Sequence, residues 1–435
     1  MGAWLRPGTE WFVKCSARSW RRYFGPKVRV SDASESMGWV PLMTRMVVFL
    51  MAVVVGTACS NVEVQEVMRV EEWALVDTLF DPIGTVDGPP THTLYRARDV
   101  RHLGSGLLAV ANAREEIRLF RTDGSFVRQF GREGGGPGEF GNLSRLFRLR
   151  DTSLLAIDGM RERALRFDTL GNLLSEFSLD PEHPLETASG YAVLGPDRVM
   201  VIGHSFFPNI PSVTIQTLIR PEVPLYVFDS AGGVTEVGQV LGRPREVDSG
   251  GFRFQPLAPN TIITSWRGGA VLTFGTDATL SFYDSDGKLA QVLHPPRSPV
   301  PVTDQTKSDW EEELLEALRA RGIPTEGLGY PQGWILRFPA TLPVYDGLLS
   351  DDLGCVWARR YRPPKETSVW YDVIDPENRS IATFSLPKTT IITDINDGLV
   401  VGIATDELGV QRIVLFEVDT GGISSDLTCD VQSDS

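Results

Sequence analysis

The stretch FVRQFGREGGGPGEF, residues Phe126 to Phe140, is the most informative part of the chain. It begins as an alternating, strand-like run and ends in a glycine-rich turn around the rigid Pro137. Glycine tolerates positive φ angles and close backbone approach, so such a turn can carry the chain from the outer strand of one small sheet to the inner strand of the next. A phosphate-binding loop would lead into a helix, whereas this turn leads into LSRLFRLRDTSLLAID, which has the pattern of a second strand pair.

The same type of hairpin recurs along the chain. In each copy a short alternating run meets a turn that contains aspartate, and an apolar strand and a further strand-like run precede it. The copies are LFRTDGSFVRQF (119–130), RFDTLGNLLSEF (166–177), VFDSAGGVTEVG (227–238), FYDSDGKLAQVL (282–293), VIDPENRSIATF (373–384) and EVDTGG (417–422). Six units of about four strands predict an all-β, six-bladed β-propeller.

Both ends of this repeat region are incomplete. The sixth unit has no outer strand after IVLFEVDT, and WALVDTLF (Trp73 to Phe80) has no partner of its own. We predict that the N-terminal strand completes the last blade, because ring closure removes exposed sheet edges. The propeller is thus expected to span residues 60–422, followed by a C-terminal tail at 423–435.

The linker resembles that of one propeller family. The order FG, two residues, G, one residue, GPGEF at 130–140 is similar to the linker of NHL-type six-bladed propellers, and the repeat layout from about residue 73 to 422 is similar too. Two departures are visible: only one linker copy is intact, and the Asn-x-Arg-Ile signature usual before the third strand is absent. The chain looks like the bacterial six-bladed propeller lipoproteins, and this resemblance implies a binding role.

NHL-type relatives also include enzymes, such as peptidylglycine lyases and lactonase-like propellers, which use metal ligands in the channel. The five histidines of this chain fall in different units without HxH or HxxxH pairing: His92, His102, His183, His204 and His294. No catalytic residue, cofactor or metal ligand is therefore carried over from the resemblance. A channel-mouth hydrolase or lyase of the lactonase or peptidylglycine-lyase kind is kept as the alternative function.

An apolar segment precedes the repeats. MVVFLMAVVVG (Met46 to Gly56) is uncharged and has the length of a signal-peptide core, too short for a membrane-spanning helix. It runs into GTACS, which resembles a lipobox with glycine where leucine is usual, and this resemblance implies lipidation of Cys59. Cleavage by the ordinary signal peptidase, or a buried free thiol, is the alternative.

These features predict two N-terminal regions and a cellular location. Residues 1–42 are an extension, with translation from Met37 or Met43 as the simplest account, and residues 43–59 are a signal peptide. The mature chain is expected in the bacterial cell envelope as an outer-membrane lipoprotein facing the periplasm or the exterior. In that oxidising compartment Cys355 and Cys429 could form a disulfide, although the sequence leaves open whether they meet.

Charge narrows the possible partners. The chain has 42 Lys and Arg against 56 Asp and Glu, a net charge of −14. Residues 1–59 hold 8 of the bases and 3 of the acids, so the remainder has a net charge of −19. Such a field repels nucleic acid and anionic lipid headgroups. We expect a monomer that contacts the membrane only through its anchor.

One insertion, predicted at 298–335, interrupts the repeats. KSDWEEELLEALRAR (Lys307 to Arg321) has apolar residues at helical spacing, with acids early and arginines late. Ser308 or Asp309 is the predicted N-cap. The helix is expected to pack on the rim or face of the propeller, or to act as a lid or docking element.

The mouth of the central channel is the predicted binding site. Counting nine residues back from each second strand places Arg98, Arg145 and Asp346 at equivalent positions in units one, two and five. The same count gives Ser189, Thr261 and Thr390 in the other units. Two arginines at one mouth could bind a carboxylate or phosphate of a protein, a glycan or a small ligand. Alternatively, Arg98 or Arg145 pairs with Asp99 or Asp346 between blades.

Overall fold

The computed structural model describes residues 70–72, 74–77, 83–84, 89–179, 190–203, 217–248, 251–323, 337–377 and 380–419. The chain divides into two units, Met1–Glu66 and Val67–Ser435, and the described residues all belong to the second. The predicted extension, signal peptide, Cys59 and C-terminal tail lie outside the described residues and stay predictions.

Strands dominate the described residues, with one helix, α1 (Asp304–Ala320). The strands are β1 (Val70–Glu72), β2 (Ala74–Asp77), β3 (Asp99–His102), β4 (Leu107–Asn112), β5 (Glu116–Arg121), β6 (Phe126–Phe130), β7 (Leu143–Arg148), β8 (Leu154–Asp158), β9 (Arg163–Phe167), β10 (Leu173–Ser178), β11 (Gly190–Gly195), β12 (Arg198–Ile202), β13 (Thr217–Ile219), β14 (Glu222–Asp229), β15 (Val234–Leu241), β16 (Arg245–Asp248), β17 (Gly251–Phe254), β18 (Ile262–Trp266), β19 (Gly269–Thr273), β20 (Leu280–Tyr283), β21 (Leu289–Leu293), β22 (Tyr345–Ser350), β23 (Val356–Arg360), β24 (Ser368–Asp375), β25 (Ser380–Pro387), β26 (Thr390–Asn396), β27 (Leu399–Thr405) and β28 (Gln411–Asp419).

These strands form six antiparallel blades around a centre. The blades are β3-β4-β5-β6, β7-β8-β9-β10, β11-β12-β14-β15, β18-β19-β20-β21, β22-β23-β24-β25 and β26-β27-β28-β2. Inner strands of neighbouring blades touch, including β26 of the last blade and β3 of the first. Blades two and three share a buried hydrophobic cluster. The predicted six-bladed propeller is confirmed.

The predicted ring closure is confirmed as well. Strand β2 pairs antiparallel with β28, with Ala74 opposite Asp419 and Asp77 opposite Phe416, and so supplies the outer strand of blade six. One pairing was not predicted: β1 lies parallel to β25, with Val70 opposite Ile381, and extends blade five. The N-terminal segment therefore joins two blades.

The aspartates of the repeated hairpins have a structural role. In Asp168, Asp229 and Asp284 the carboxylate accepts hydrogen bonds from the backbone N–H groups two and four residues on, which holds the chain in a tight turn. Asp168 accepts from Leu170 and Asn172, both at 2.8 Å. Asp284 accepts from Asp286 and Lys288, both at 2.9 Å. The repeated motif thus marks the turn between the third and fourth strands of a blade.

The glycine-rich linker seats Phe140 in the core between blades one and two. Phe140 is fully buried, and a Cβ atom on Gly131 would lie 2.7 Å from its ring. Gly131 also has a φ of 81°, which glycine adopts without strain. The turn is held from inside by Glu139, which accepts from the backbone N–H of Gly136 at 2.7 Å. Arg163 of blade two donates to the Glu139 carbonyl at 2.6 Å.

Helix α1 starts earlier than predicted. Thr303 is the N-cap: its hydroxyl accepts from the backbone N–H of Thr306 at 3.1 Å, and the Thr306 hydroxyl accepts from the backbone of Thr303. The prediction of Ser308 or Asp309 as the cap was wrong. The Thr303 capping box satisfies the free N–H groups one turn earlier, so the helix extends back to Asp304.

The insertions collect on one face. In an antiparallel blade, the connection from second to third strand and the connection to the next blade lie at the end where the inner strand begins. We call this the upper face, and the opposite one the lower face. Helix α1 lies in the connection between β21 and β22, and β13, β16 and β17 form a small extra sheet in connections of blade three. Longer connections of this kind often carry function.

Candidate functional site

A cavity of about 430 Å³ lies at the centre of the ring. Each of the six inner strands contributes to its wall, and one representative of each is Arg101, Arg145, Tyr191, Thr264, Asp346 and Ile391. Pockets that hold small ligands have volumes of this size, about 300 to 1,000 Å³. The wall residues run from the start to the middle of the inner strands, so the cavity belongs to the upper half of the channel.

The structure places the three predicted mouth residues, Arg98, Arg145 and Asp346, together on this wall. Thr261 lines the cavity too, whereas Ser189 lies outside the described residues. The position chosen in blade six was wrong by one residue. Thr390 is only 7% exposed, and its neighbour Ile391, 49% exposed, lines the cavity instead. Adjacent residues of a strand face opposite sides, so a shift of one exchanges them.

Arg98 and Arg145 are exposed side chains that have no counter-ion among the described residues. Within the part of the chain that the structure describes, neither guanidinium forms an ion pair or a side-chain hydrogen bond. The pairing of these arginines with Asp99 or Asp346, proposed above as the alternative, is wrong. Asp99 pairs with Arg101 at 3.1 Å, and Asp346 pairs with Arg359 at 2.6 Å. The two predicted arginines are left facing the cavity.

Electrostatics agree with this geometry. Partial burial lowers the pKa of Arg98, and the positive charge of three neighbouring arginines lowers it further: Arg114, Arg96 and Arg145. Unneutralised cations that repel each other favour a bound anion, since its charge removes the repulsion. Guanidinium groups also match carboxylate and phosphate oxygens in a bidentate geometry.

Arg101 links the blades on which these arginines lie. Its Nε donates to the carbonyl of Leu146 in blade two at 2.7 Å, and its guanidinium lies 3.4 Å from Asp394 of blade six. Asp394 also accepts from the backbone N–H of His102 at 2.7 Å. Burial raises the pKa of Asp394, and the charge of Arg101 opposes this shift. Three blades are thus locked together at the level of the cavity.

The opposite wall is neutralised. Burial raises the pKa of Asp346, whereas its ion pair with Arg359 opposes that shift. Burial, Glu162 and Asp158 raise the pKa of Tyr191 to about 12, so its phenol keeps its proton. The site therefore combines free cations on one wall with a closed ion pair and a phenol donor on the others. Such a set can bind an anionic group and donate hydrogen bonds to it.

Neither metal-binding clusters nor membrane spans emerge from the described part of the chain. Over those residues, no three His, Cys, Asp or Glu side chains are grouped so that they could hold a metal ion. A search of the same residues finds no helix with the length and apolar character needed to span a bilayer.

Helix α1 packs on the rim through polar contacts and one aromatic pair. Glu313 accepts from Arg362 at 2.7 Å and from the backbone N–H of Lys365 at 3.2 Å, both in the connection between β23 and β24. Trp310 meets Phe338 edge to face at 5.6 Å. The helix buries none of its own residues. A role as lid or docking element stays a hypothesis.

Cys355 belongs to the lower face, where it ends the turn between β22 and β23. It is buried and disulfide-bonded. The other three cysteines lie outside the described residues, so the pairing with Cys429 stays a prediction.

Comparison with known proteins supports the fold. A family model described as a 6-bladed β-propeller matches residues 79–189, about a quarter of the chain. A comparison with curated proteins finds no match.

Solved structures with similar folds are distant in sequence. One is an inferred exported protein of Bacteroides fragilis NCTC 9343, 13% identical, covering 81% of this chain and 98% of its own, with a TM-score of 0.44. Virginiamycin B lyase from Staphylococcus aureus is 9% identical, with coverages of 80% and 99% and a TM-score of 0.39. A gluconolactonase from Xanthomonas campestris is 10% identical, with coverages of 75% and 87% and a TM-score of 0.40. Because the TM-scores are below 0.5, we draw no functional argument from these structures.

Proposed function

We propose that the protein is an exported, lipid-anchored propeller that binds a ligand at the upper mouth of its channel, through an anionic group held by Arg98 and Arg145. The observation that carries this proposal is that both arginines line a cavity of about 430 Å³, while Asp99 and Asp346 are paired with Arg101 and Arg359. The ligand can be a small molecule, a glycan or a protein side chain, because the site requires only the anionic group.

The negative net charge of the chain bears on how the arginines at the channel mouth are paired. The chain has a net charge of −14, so carboxylates to neutralise two arginines are abundant. Asp99 and Asp346 lie near the predicted mouth, yet each pairs with a different arginine. A positive spot inside a negative protein concentrates anions at one place and repels them elsewhere.

The arginines can be tested with two simple probes, inorganic phosphate and galacturonate, titrated into the full-length protein in detergent. Arg98→Ala and Arg145→Ala should each weaken binding roughly ten- to a hundredfold, since a charged hydrogen bond contributes about 1.5 to 3 kcal/mol. Calorimetry gives the affinity, and a thermal melt gives the stability. The melting temperature should barely change, because neither side chain has an ion-pair partner among the described residues.

Arg150→Ala is the matched control for this test. Arg150 is an exposed arginine in the turn between β7 and β8 on the lower face, so its loss changes the net charge equally without touching the mouth. Arg150→Ala should bind both probes like the parent. Unchanged affinity in Arg98→Ala and Arg145→Ala, or a loss equal to that of the control, would refute the proposed site.

The proposed anchor depends on Cys59. The apolar run Met46 to Gly56 ends in GTACS, and multiple lipid chains on one cysteine hold a protein firmly, whereas a single chain binds marginally. Ser60 follows the cysteine, which by the enteric sorting rule favours the outer membrane. Cys59→Ala should move the protein from the membrane fraction into the soluble extract. Cys429→Ala, which removes a cysteine of the predicted mature chain, is the control and should leave fractionation unchanged. Membrane retention of Cys59→Ala would contradict the anchor.

A further inference from the structure

Two more arginines continue the positive charge of the cavity onto the upper face. Arg96 and Arg114 are both exposed, and neither forms an ion pair with any residue that the structure describes. The Arg96 guanidinium lies 5.1 Å from the centre of the Tyr95 ring, which is itself 60% exposed. These side chains are therefore available to solvent and to a ligand.

Backbone hydrogen bonds hold the segments that carry the four arginines against one another. The N–H of Ala113 donates to the Tyr95 carbonyl at 2.8 Å, and the N–H of Tyr95 donates to the side chain of Asn112 at 2.7 Å. The N–H of Leu143, at the start of β7, donates to the Arg114 carbonyl at 2.6 Å. These bonds bring the four arginines close enough for the charges of Arg96, Arg114 and Arg145 to act on Arg98. We call Arg96, Arg98, Arg114 and Arg145 the arginine patch.

Three residues of this surface have a left-handed backbone conformation. Arg96 has a φ of 52° and Arg114 a φ of 73°, and Ala113, which precedes Arg114, has a φ of 54°. Residues other than glycine adopt this region at a cost of about 1 kcal/mol or more. Arginine therefore stands at two positions where glycine or asparagine would fit with less strain.

Acidic residues near the patch have other partners. Glu116 accepts from the side chain of Asn112 at 2.6 Å and from Arg118 at 2.8 Å. Asp158 accepts from the backbone N–H groups of Gly141 and Asn142 at 2.8 and 2.9 Å. Glu116 and Asp158 are therefore already engaged by other groups.

We infer that the arginine patch selects small ligands with two or more anionic groups, carboxylate or phosphate, of which one is held by Arg98 and Arg145 and another by Arg96 and Arg114. This inference rests on the proposed function and extends it from one anionic group to several. Linking two anions in one molecule makes the second contact intramolecular, so affinity rises without any new type of contact.

Two series of probes test the inference on the full-length protein in detergent, by calorimetry at fixed ionic strength. The carboxylate series is galacturonate, digalacturonate and trigalacturonate, and the phosphate series is phosphate, pyrophosphate and tripolyphosphate. We expect at least about a tenfold gain in affinity from the first to the last member of one series or of both. A gain confined to one series identifies the anionic group as carboxylate or phosphate.

Two double variants separate this inference from the proposed function. In Arg96→Ala/Arg114→Ala the gain should disappear. Galacturonate and phosphate, the probes with one anionic group, should still bind and be only slightly weakened, because the two lost charges act on Arg98 from a distance and are screened by salt. In Arg98→Ala/Arg145→Ala all probes should bind more weakly. Arg121→Ala/Arg150→Ala removes two exposed arginines of the lower face and should behave like the parent, with thermal melts confirming that each variant folds.

The failures are distinguishable. A gain that is absent from both series in the parent, or that survives in Arg96→Ala/Arg114→Ala, would overturn the inference and leave the proposed function standing. If galacturonate and phosphate bind to Arg98→Ala/Arg145→Ala as tightly as to the parent, the proposed function itself is overturned.

Discussion

Arg98 and Arg101 are three residues apart and have opposite roles. Arg101 is 12% exposed at its side chain and pairs with Asp99 and Asp394, which are almost fully buried. Arg98 is exposed and has no partner among the described residues. The first arginine stabilises the junction of three blades, and the second is free to bind a ligand, so loss of each should affect a different property.

Substitution of Arg101 and substitution of Arg98 should change the free energy of unfolding by different amounts. Arg101→Met keeps the aliphatic packing but leaves Asp99 and Asp394 buried without their cation, which should destabilise the protein by about 3 to 5 kcal/mol. Arg98→Ala should change the free energy of unfolding by no more than about 0.5 kcal/mol, as is usual for exposed positions. Urea denaturation of both variants measures the difference. Equal midpoints for Arg101→Met and Arg98→Ala would contradict the interblade lock.

Only some residues of the site could be predicted from the sequence. Arg98 and Arg145 were found because equivalent positions in a repeat face the same channel. Asp394 was missed because its partner Arg101 lies 293 positions away in the chain, where no local pattern connects them. The position in blade six failed by a single residue, because Thr390 and Ile391 are neighbours on β26 and their side chains point to opposite faces of the strand.

At the scale of elements, the N-terminal strands decide whether the ring is closed. Without β2, the long strand β28 would become the exposed edge of blade six. Exposed edges present unpaired N–H and C=O groups that recruit other chains. Strand β1 adds a parallel partner to β25 of blade five, so one short segment covers edges in two blades.

Deletion of residues 60–80 removes both strands and should abolish cooperative unfolding or cause aggregation, which calorimetric melting and light scattering detect. Deletion of residues 60–72 removes β1 alone and should be milder, since β2 still completes blade six. Deletion of residues 206–214, in the connection between β12 and β13, is the control. A 60–80 deletion that melts like the parent would show that the ring closes without the N-terminal strand.

Elements with a repeated signal were predictable, and unique ones were not. The turn aspartates Asp168 and Asp284 recur with the blade period and bind their own backbone, so sequence located the hairpins. Strands β13, β16 and β17 form a sheet from the short runs TLI, REVD and GFRF, which have no counterpart in other units. Their pairing depends on tertiary contacts, and no repeated sequence pattern marks these contacts.

At the scale of the whole propeller, charge and connections distinguish the two faces. The chain has a net charge of −14, yet the upper face carries the four arginines of the arginine patch, which form no ion pair within the part of the chain that the structure describes. The helix and the extra sheet belong to connections of that same face. The lower face carries short aspartate turns, such as that of Asp284, whose carboxylate is used by its own backbone. The upper face is therefore the expected recognition surface.

The central claim is that Arg98 and Arg145 together hold an anion at the channel mouth, and one crystallographic measurement tests it directly. Crystals of the protein soaked with selenate, an anion that resembles sulfate and scatters anomalously, should give a difference peak within hydrogen-bond distance of both guanidinium groups. The same soak of Arg98→Ala/Arg145→Ala should lack this peak. Selenate bound only at other places, or an equal peak at the mouth of the double variant, would contradict the account.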